Sequence, residues 1–252
     1  MIEARNICKS FNGKTILSDI SATFEEGQTN LIIGESGSGK TVLLKCLVGL
    51  HAIDSGEIFF HNVEYTSLSR KQQRGLRQQI GMLFQGGALF DSVTVEENVM
   101  FPLTMFSAMS KAEQRDRALV CLERVNLADA RHLYPTELSG GMQKRVAIAR
   151  AISLSPQYLF CDEPNSGLDP KTAILIDALI KEITEENHIT TIINTHDMNS
   201  VMEIGDKVLF LHDGRCWWEG SKHDVLYSQN VELNEFVFAN SLAKKARASN
   251  LR

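Results

Sequence analysis

The residues best suited to chemistry are Lys40 and Thr41, which close a glycine-rich loop after the apolar run Leu31-Ile32-Ile33. The loop reads Gly34-Glu35-Ser36-Gly37-Ser38-Gly39-Lys40-Thr41 and fits the phosphate-loop pattern G-x-x-x-x-G-K-[ST]. Glycines let successive backbone N–H groups point at phosphate oxygens, and the next helix directs its positive end at the same charge. Lys40 is expected to serve the terminal phosphates and Thr41 to bind Mg²⁺. A flexible Gly/Ser turn is the alternative, but such a match arises by chance in roughly one chain of this length in a hundred.

Two adjacent acids, Asp162 and Glu163, follow the apolar run Tyr158-Leu159-Phe160-Cys161. Such a run is typical of a buried parallel strand. Acids at the end of a buried strand lose hydration energy unless they meet a cation or a reacting water. We therefore predict that Asp162 supports Mg²⁺ and that Glu163 polarises water as a general base, against the alternative of a polar strand end.

Other polar residues stand where predicted strands end or helices begin. Gln85 ends a short predicted strand, where it either holds Mg²⁺ or water or is only a terminus, and His196 stands just beyond the strand Ile189–Asn194. Ligands of open α/β sheets bind at such strand ends, which favours a phosphate-facing role for His196 over a structural one. The sequence Ser139-Gly140-Gly141 opens a helix and predicts a second anion-binding end. Phe11, in a polar run, either stacks on an adenine ring or packs at an edge.

The elements that must position these residues follow an α/β order. Strand signals fill residues 2–33, helical signals fill residues 86–155, and strand signals then resume up to a hairpin at Lys207–Trp218. The capping box Ser110-Lys111-Ala112-Glu113 predicts a helix from about Lys111 to Val125. We interpret the helical region as a lobe inserted into a nucleotide-binding core. The tail from Ser221 is helical in pattern and ends with Lys244, Lys245, Arg247 and Arg252, either as a solvated end or as a contact for a partner subunit or anionic lipid.

Composition limits the class of protein. The 252 residues allow one large domain or a domain with an inserted lobe. No apolar run approaches the roughly 20 residues that span a membrane, and the start lacks signal-peptide character, so a cytoplasmic protein is expected. A net charge of −5 argues against a nucleic-acid partner. The five cysteines are scattered without C-x-x-C spacing, which favours buried free thiols.

Taken together and in this order, the loop at 34–41, Gln85, Leu138 to Gly141, Tyr158 to Glu163, Ser166 to Asp169 and His196 resemble the ATP-binding-cassette (ABC) ATPase family. The resemblance covers residues 1–220, a nucleotide-binding domain with a helical subdomain at about 86–155, and leaves 221–252 as a C-terminal extension. It implies a phosphate-loop NTPase core with an antiparallel β subdomain and an inserted α-helical subdomain.

In function, the family resemblance implies hydrolysis of ATP with Mg²⁺ by two copies closed head to tail. Ser139 and Gly141 of one copy then touch the γ-phosphate held by the other, with Gly140 between them. It further implies Lys40 and Thr41 on phosphate and Mg²⁺, and Gln85 near Mg²⁺ and the transporter contact. The remaining implied roles are Asp162 on Mg²⁺, Glu163 as base, His196 as γ-phosphate sensor and Phe11 on adenine.

One departure from the family pattern points to a subfamily: Met142 stands where the family usually has glutamine. The segment from Leu138 to Met142, together with residues 84–95 and 98–103, resembles the ATPase subunit of Mla and MCE-type phospholipid transporters. That resemblance implies a peripheral protein on the cytoplasmic face of a bacterial inner membrane. Its implied partners are integral-membrane permease subunits, an MCE-domain lipid-binding protein and a small regulatory subunit.

Other cassette proteins remain as alternatives. The ATPase of a solute or lipoprotein transporter shares the motif set, and a soluble iron–sulfur assembly ATPase has a similar length. A DNA-repair or chromosome-organising protein requires a long coiled-coil insertion, and the sequence has no sustained heptads between its two halves. A translation-factor cassette protein requires two motif sets, whereas this sequence has one.

Overall fold

The computed structural model describes residues 1–238, and they fall into two compact units that are described separately below. The first unit joins Met1–Ser67 to the residues from Ile192 onward, and the second is Leu68–Thr191. The helical span predicted at 86–155 lies inside the second unit. The basic residues predicted to end the tail, Lys244 to Arg252, lie outside the described residues.

The first unit holds most of the strands. Its elements in chain order are β1 (Ile2–Phe11), β2 (Lys14–Phe24), β3 (Thr29–Ile33), α1 (Lys40–Leu47), β4 (Ser55–Phe60), β5 (Val63–Glu64), the end of β8 (Thr190–Thr195), α7 (Met198–Ile204), β9 (Lys207–His212), β10 (Arg215–Ser221), α8 (Lys222–Tyr227) and α9 (Val231–Val237). Strands β2, β1, β4 and β5 form an antiparallel sheet in that order. This sheet agrees with the antiparallel β subdomain that the family resemblance implies.

The same unit carries the strand that leads into the phosphate loop. β3 is parallel to β9, with Ile33 opposite Phe210, and β9 is antiparallel to β10. All five residues of β3 are buried. A strand buried on both faces lies inside an α/β layer, so its carboxyl end is a firm platform for the loop that follows.

The second unit holds the long helices. Its elements in chain order are α2 (Arg70–Arg77), β6 (Ile80–Leu83), α3 (Val95–Phe106), α4 (Lys111–Arg124), α5 (Gly140–Ile152), β7 (Tyr158–Asp162), α6 (Pro170–Asn187) and the start of β8 (Thr190–Thr195). β6 and β7 are parallel, with Leu83 opposite Cys161. Helices α3, α4 and α5 pack on one another around buried Val99, Leu122 and Val146. No helix within residues 1–238 has the length and apolar content needed to cross a bilayer.

Local chemistry explains where these helices begin. Ser110 caps α4 through a capping box with Glu113, as the sequence predicts, and the helix ends at Arg124, one residue before the predicted end. α3 begins with the same kind of capping box, between Thr94 and Glu97, although its start was not predicted. α2 was not predicted because its residues are almost all polar and none is buried, so it has no apolar stripe to detect.

Two sequence expectations need adjustment. β6 ends at Leu83, so Gln85 lies two residues beyond the strand rather than at its last position. The cysteines are free thiols, but only Cys46, Cys121 and Cys161 are buried, whereas Cys8 and Cys216 are partly exposed. These last two lie on β1 and β10, strands with alternating or partial exposure.

Candidate functional site

The glycine-rich loop of the first unit joins β3 to α1 with a backbone that only glycine adopts easily. Gly37 and Gly39 have φ of 86° and 105°, in the left-handed region. A Cβ on Gly39 would lie 2.9 Å from Leu17 Cδ2, whereas a Cβ on Gly37 would meet no atom within 4 Å. The loop is therefore packed against the unit on one side and open on the other, as a cradle for an anion must be.

Lys40 and Thr41, the first two residues of α1, lie at the base of this loop. Lys40 is 5% exposed, and its ammonium donates to the carbonyl oxygens of Gly34 and Glu35, both at 2.8 Å. The Thr41 hydroxyl accepts a hydrogen bond from Asn194 Nδ2 at 3.3 Å. Asn194 lies in β8, directly after Ile192 and Ile193, and was not singled out from the sequence.

Ser38 tests whether the loop suits a phosphate. Its side chain is 8% exposed, and its Oγ has no hydrogen-bond partner among the described residues. An unsatisfied buried hydroxyl costs about 1–3 kcal/mol, and a phosphate oxygen in the loop would accept its hydrogen bond. The residues present thus fit the triphosphate of a nucleotide.

The other predicted residues of the first unit lie where the sequence predicts. His196 follows the last residue of β8 and is exposed. Phe11 ends β1 with 38% of its surface exposed, and its ring contacts His51 edge-on with centroids 5.2 Å apart. An exposed ring is accessible for stacking on a base, the role that the family resemblance implies.

The acidic pair belongs to the second unit, at the carboxyl end of β7. Asp162 is the last strand residue and is 4% exposed. Glu163 is partly buried, and its φ of 46° places a non-glycine residue in the left-handed region. Such a conformation costs of order 1–3 kcal/mol and persists only where surrounding contacts impose it, which is common at active sites.

Gln85 meets the candidate base directly. Its Nε2 donates to Glu163 Oε2 at 3.1 Å and to Ser166 Oγ at 3.4 Å. The structure therefore brings together two residues that lie 78 positions apart and that the sequence reading selected separately. A donor on the carboxylate fixes its orientation without neutralising it, which suits a base that positions water.

Ser139, Gly140 and Gly141 form the start of α5. The Ser139 hydroxyl caps the helix by accepting from Met142 N at 3.3 Å. A cavity of about 610 Å³, here named the α5–α6 cavity, adjoins this helix end, and Asp169 and Thr172 are among its lining residues. Gly141 lies so close to α6 that a Cβ would be 2.6 Å from Thr172 Cγ2. Glu163 and Gln85 are not among the residues that line this cavity, which has the Ser139 end of α5 in its lining.

Two buried cations of α5 were not singled out from the sequence. Lys144 donates through Nζ to the Gln85 carbonyl oxygen, and Arg150 donates to the carbonyl oxygens of Gly87 and Ala88. Both partners are backbone atoms, and a sequence pattern gives no signal for them.

A glycine-rich phosphate loop with its lysine, an acidic pair at the carboxyl end of a buried strand and a glutamine bonded to the second acid are features of phosphate-loop nucleotide hydrolases. The capped glycine pair of α5 narrows that class further. The profile of the family described as ABC transporter matches residues 17–166, more than half of the chain, and the chain belongs to this family.

Known proteins of the family are similar over most of the chain. The methionine import ATP-binding protein MetN of Clostridioides difficile is 37% identical over 242 residues, 96% of this chain and 75% of that protein. The intermembrane phospholipid transport system ATP-binding protein MlaF of Haemophilus influenzae is 35% identical over 237 residues, 94% of this chain and 90% of that protein.

Among solved structures, the ATP-binding cassette MJ0796, in a dimeric post-hydrolysis state bound to ADP and Pi, matches with a TM-score of 0.80 and 33% identity. The match covers 88% of this chain and 99% of that one. These findings confirm the predicted ABC-ATPase fold, the ATPase activity and the use of ATP with Mg²⁺. The protein is thus an ATPase subunit of an ABC transporter.

Proposed function

We propose that this chain closes as a head-to-tail dimer on ATP at the cytoplasmic face of a membrane and thereby drives an integral-membrane permease. The observation that carries the proposal is Gln85, whose side chain bonds to Glu163 while the backbone after it leads to an exposed apolar groove. A partner bound in this groove would contact Phe84 and Ala88, which flank Gln85, and could thereby affect the position of Glu163.

The groove has the character of a docking site for a protein helix. We name it the aromatic groove; it has a volume of about 700 Å³ and is lined in part by Arg74, Arg77, Phe84, Ala88, Phe90, Phe101, Met105, Phe106 and Arg150. Phe101, Met105 and Phe106 are 43%, 52% and 42% exposed, and apolar surface concentrated in this way marks an interaction site. Arg74 and Arg77 add positive charge at its rim, so the fitting partner is an amphipathic helix with an acidic residue.

In this proposal the chain's own residues divide the work. Lys40 and the loop N–H groups would hold the phosphates, and Thr41 and Asp162 would hold Mg²⁺, which would neutralise phosphate charge. Glu163 takes a proton from the attacking water, and Gln85 keeps the carboxylate in place. Ser139 and Gly141 of the second copy complete the site, and His196 contacts the γ-phosphate.

For the cargo we propose phospholipid, moved between inner and outer membranes with an MCE-domain partner. The support is the sequence of residues 84–95 and 98–103, the Met142 replacement and the similarity to the phospholipid transport ATPase of Haemophilus influenzae. In the structure several residues of these two stretches line the aromatic groove, among them Phe90 and Phe101, whose ring centroids are 4.8 Å apart. The part of this segment that lines the groove therefore belongs to the proposed permease contact, whereas Met142 lines the α5–α6 cavity.

Import of methionine or another small solute is the second candidate. Its support is the similarity to methionine import ATPases, including 37% identity to that of Clostridioides difficile. Such a transporter needs the same ATPase residues and a different permease, so the hydrolytic site does not separate the two candidates.

The deciding experiment is purification of the full chain from membranes in mild detergent, followed by mass spectrometry of the associated proteins and lipids. We expect a permease, an MCE-domain protein and bound phospholipid. Recovery with a permease and a solute-binding protein, together with ATP turnover stimulated by methionine, would replace the lipid proposal by the second candidate. Phe101→Asp and Phe106→Asp serve as controls, because both are expected to release the permease while leaving ATP binding within about twofold.

A further inference from the structure

Lys144 is a buried cation that has no part in the hydrolytic mechanism proposed for this chain. It lies in the second turn of α5, five residues after Ser139, and is 6% exposed. Burial lowers the pKa of its ammonium, while the nearby carboxylates of Asp162 and Glu163 act in the opposite direction. A buried ammonium is costly unless it is hydrogen-bonded and near opposite charge, so its contacts are informative.

The contact of Lys144 leads to the candidate base in two steps. Nζ donates to the backbone carbonyl oxygen of Gln85, and the side chain of the same Gln85 donates to Glu163 Oε2 at 3.1 Å. Fixing the backbone of a residue restricts where its side-chain amide can reach. Lys144 is therefore connected to Glu163 through the backbone and the side chain of Gln85.

The segment that Lys144 holds does not have a conformation that an unsupported chain would keep. We call residues 85–88 the strap. Gly87 and Ala88 have φ of 73° and 50°, so the strap contains a non-glycine residue in the left-handed region. At its far end Arg150 donates to the carbonyl oxygens of Gly87 and Ala88 at 2.6 and 2.7 Å. The strap is thus fastened to α5 at both ends, with Lys144 at the end nearer Glu163.

We propose that Lys144 is a positioning residue for hydrolysis: by holding the Gln85 backbone to α5, it keeps the Gln85 amide on the Glu163 carboxylate. This inference rests on the proposed role of Glu163 as base. The same helix begins at Ser139, so Lys144 also ties the residue expected to meet the second copy's nucleotide to the base of its own copy. A misplacement of about 1 Å in such a group costs on the order of 100-fold in rate.

The first test is Lys144→Met, which keeps the length and apolar stem of the side chain and removes its charge and donors. We expect kcat of the full chain with Mg²⁺ and ATP to fall at least about tenfold, with KM for ATP within about twofold, because no residue of the phosphate loop is altered. Arg117→Met is the matched control. Arg117 also donates to carbonyl oxygens of the α5 end, at Ile152 and Ser153, but it does not hold the strap, and its loss should leave kcat within about twofold.

A double-mutant cycle separates positioning of Glu163 from a merely structural role. If Lys144 acts through the Glu163 carboxylate, Lys144→Met has little to remove once that carboxylate is gone. In the Glu163→Gln background we therefore expect Lys144→Met to lower the residual turnover, followed as phosphate release over hours, by less than about twofold. An undiminished tenfold loss in that background would overturn the proposal, as would wild-type kcat for Lys144→Met alone.

ATP turnover of Glu163→Gln is also measured in a chain that keeps Lys144. Full turnover by Glu163→Gln would remove the proposed base and with it the premise, whereas a strong loss there with an additive Lys144 effect removes only the positioning role. ATP affinity and the thermal transition report whether Lys144→Met folds. Should it fail to bind ATP, Lys144→Leu, which also removes the charge and the donors, is taken through the same cycle with the same expected outcomes.

Discussion

At the scale of single residues, Glu163 is held in a conformation that its own backbone disfavours. Its φ of 46° and its hydrogen bond from Gln85 point the carboxylate in a fixed direction. Glu163 directly follows β7, a strand whose five residues are all buried. A strained backbone conformation lowers stability, so its presence here is best explained by the direction that it gives the Glu163 carboxylate.

We predict that Glu163→Gln lowers ATP turnover at least about 100-fold while ATP still binds, because the amide is nearly the same size but cannot accept the proton of the attacking water. The binding step should then accumulate, so the variant should elute as a dimer in Mg²⁺ and ATP during size-exclusion chromatography. Turnover equal to wild type would contradict the assigned role. Glu186→Gln, on the exposed surface of α6, is the control and should change neither property.

Gly39 gives a second residue-scale prediction. Gly39→Ala should abolish measurable ATP binding, because the new Cβ meets Leu17 at 2.9 Å and the Ile16 carbonyl oxygen at 3.2 Å at a φ of 105°. Gly13→Ala is the control for backbone strain alone, since its φ is 79° and no atom lies within 4 Å of the new Cβ. Nucleotide titration by fluorescence measures both, and equal affinities for the two variants would contradict the steric argument.

The phosphate loop and the acidic pair were predictable because their chemistry is written in residue types at fixed spacing. Lys144 and Arg150 were not, because each acts on backbone carbonyls that lie 59 or more positions away in the sequence. Asn194 was missed for the same reason, since its partner Thr41 is 153 positions distant.

At the scale of elements, helix starts carry much of the positioning. Asp169 caps α6 by accepting from the backbone N–H groups of Lys171 and Thr172, both at 3.1 Å, and from the Thr172 hydroxyl. The hydroxyl and these N–H groups hold the pKa of the Asp169 carboxyl below its ordinary value. The same Thr172 packs against Gly141, so the cap also fixes the neighbour of α5.

We predict that Asp169→Ala lowers Tm at pH 7 by about 2–4 °C, as expected for a lost helix cap in a chain of this size. Because the folded-state pKa is depressed, the contribution of the charge is full above the unfolded value, about 3.9, and is lost as the pH falls through the folded value. The Tm difference from wild type should therefore narrow below about pH 4. Asn230→Ala removes the neutral cap of α9 and should show a difference that does not depend on this titration.

Helices and strands were predictable from the sequence to the extent that they bury apolar residues or carry a capping box. β3 and α4 were placed within one residue at each end because apolar runs and a capping box mark them. α2 has no buried residue, so its formation depends on a capping box and on the chain around it rather than on periodicity. β8 was predicted one residue early, a difference within the normal uncertainty of strand ends.

At the scale of the whole molecule, each unit contains part of the predicted catalytic set. The first carries the phosphate loop and His196, and the second carries Asp162, Glu163 and Ser139. The Ser139 end of α5 opens onto a cavity that the base does not line. The proposed dimer accounts for this separation, because Ser139 would then serve the nucleotide of the other copy.

Mixed dimers of tagged chains test this arrangement. When one copy carries Lys40→Met and the other Ser139→Arg, head-to-tail pairing leaves one intact site, and we expect close to half of wild-type turnover if the sites act independently. When both changes lie on one copy and its partner is wild type, both sites are damaged and turnover should be nearly lost. The opposite ranking, with activity retained only in the second mixture, would show that each site is complete within one chain.

Lys144 and Arg150 grip the strap only by its carbonyl oxygens. Every amino acid supplies that oxygen, so the hold on the strap does not depend on which side chains the strap and its neighbours carry. A replacement of exposed Phe90, two residues beyond Ala88, should therefore leave the hold on the strap intact. In the proposed transporter, side chains that contact the permease can therefore differ while the Gln85 backbone keeps its place on α5.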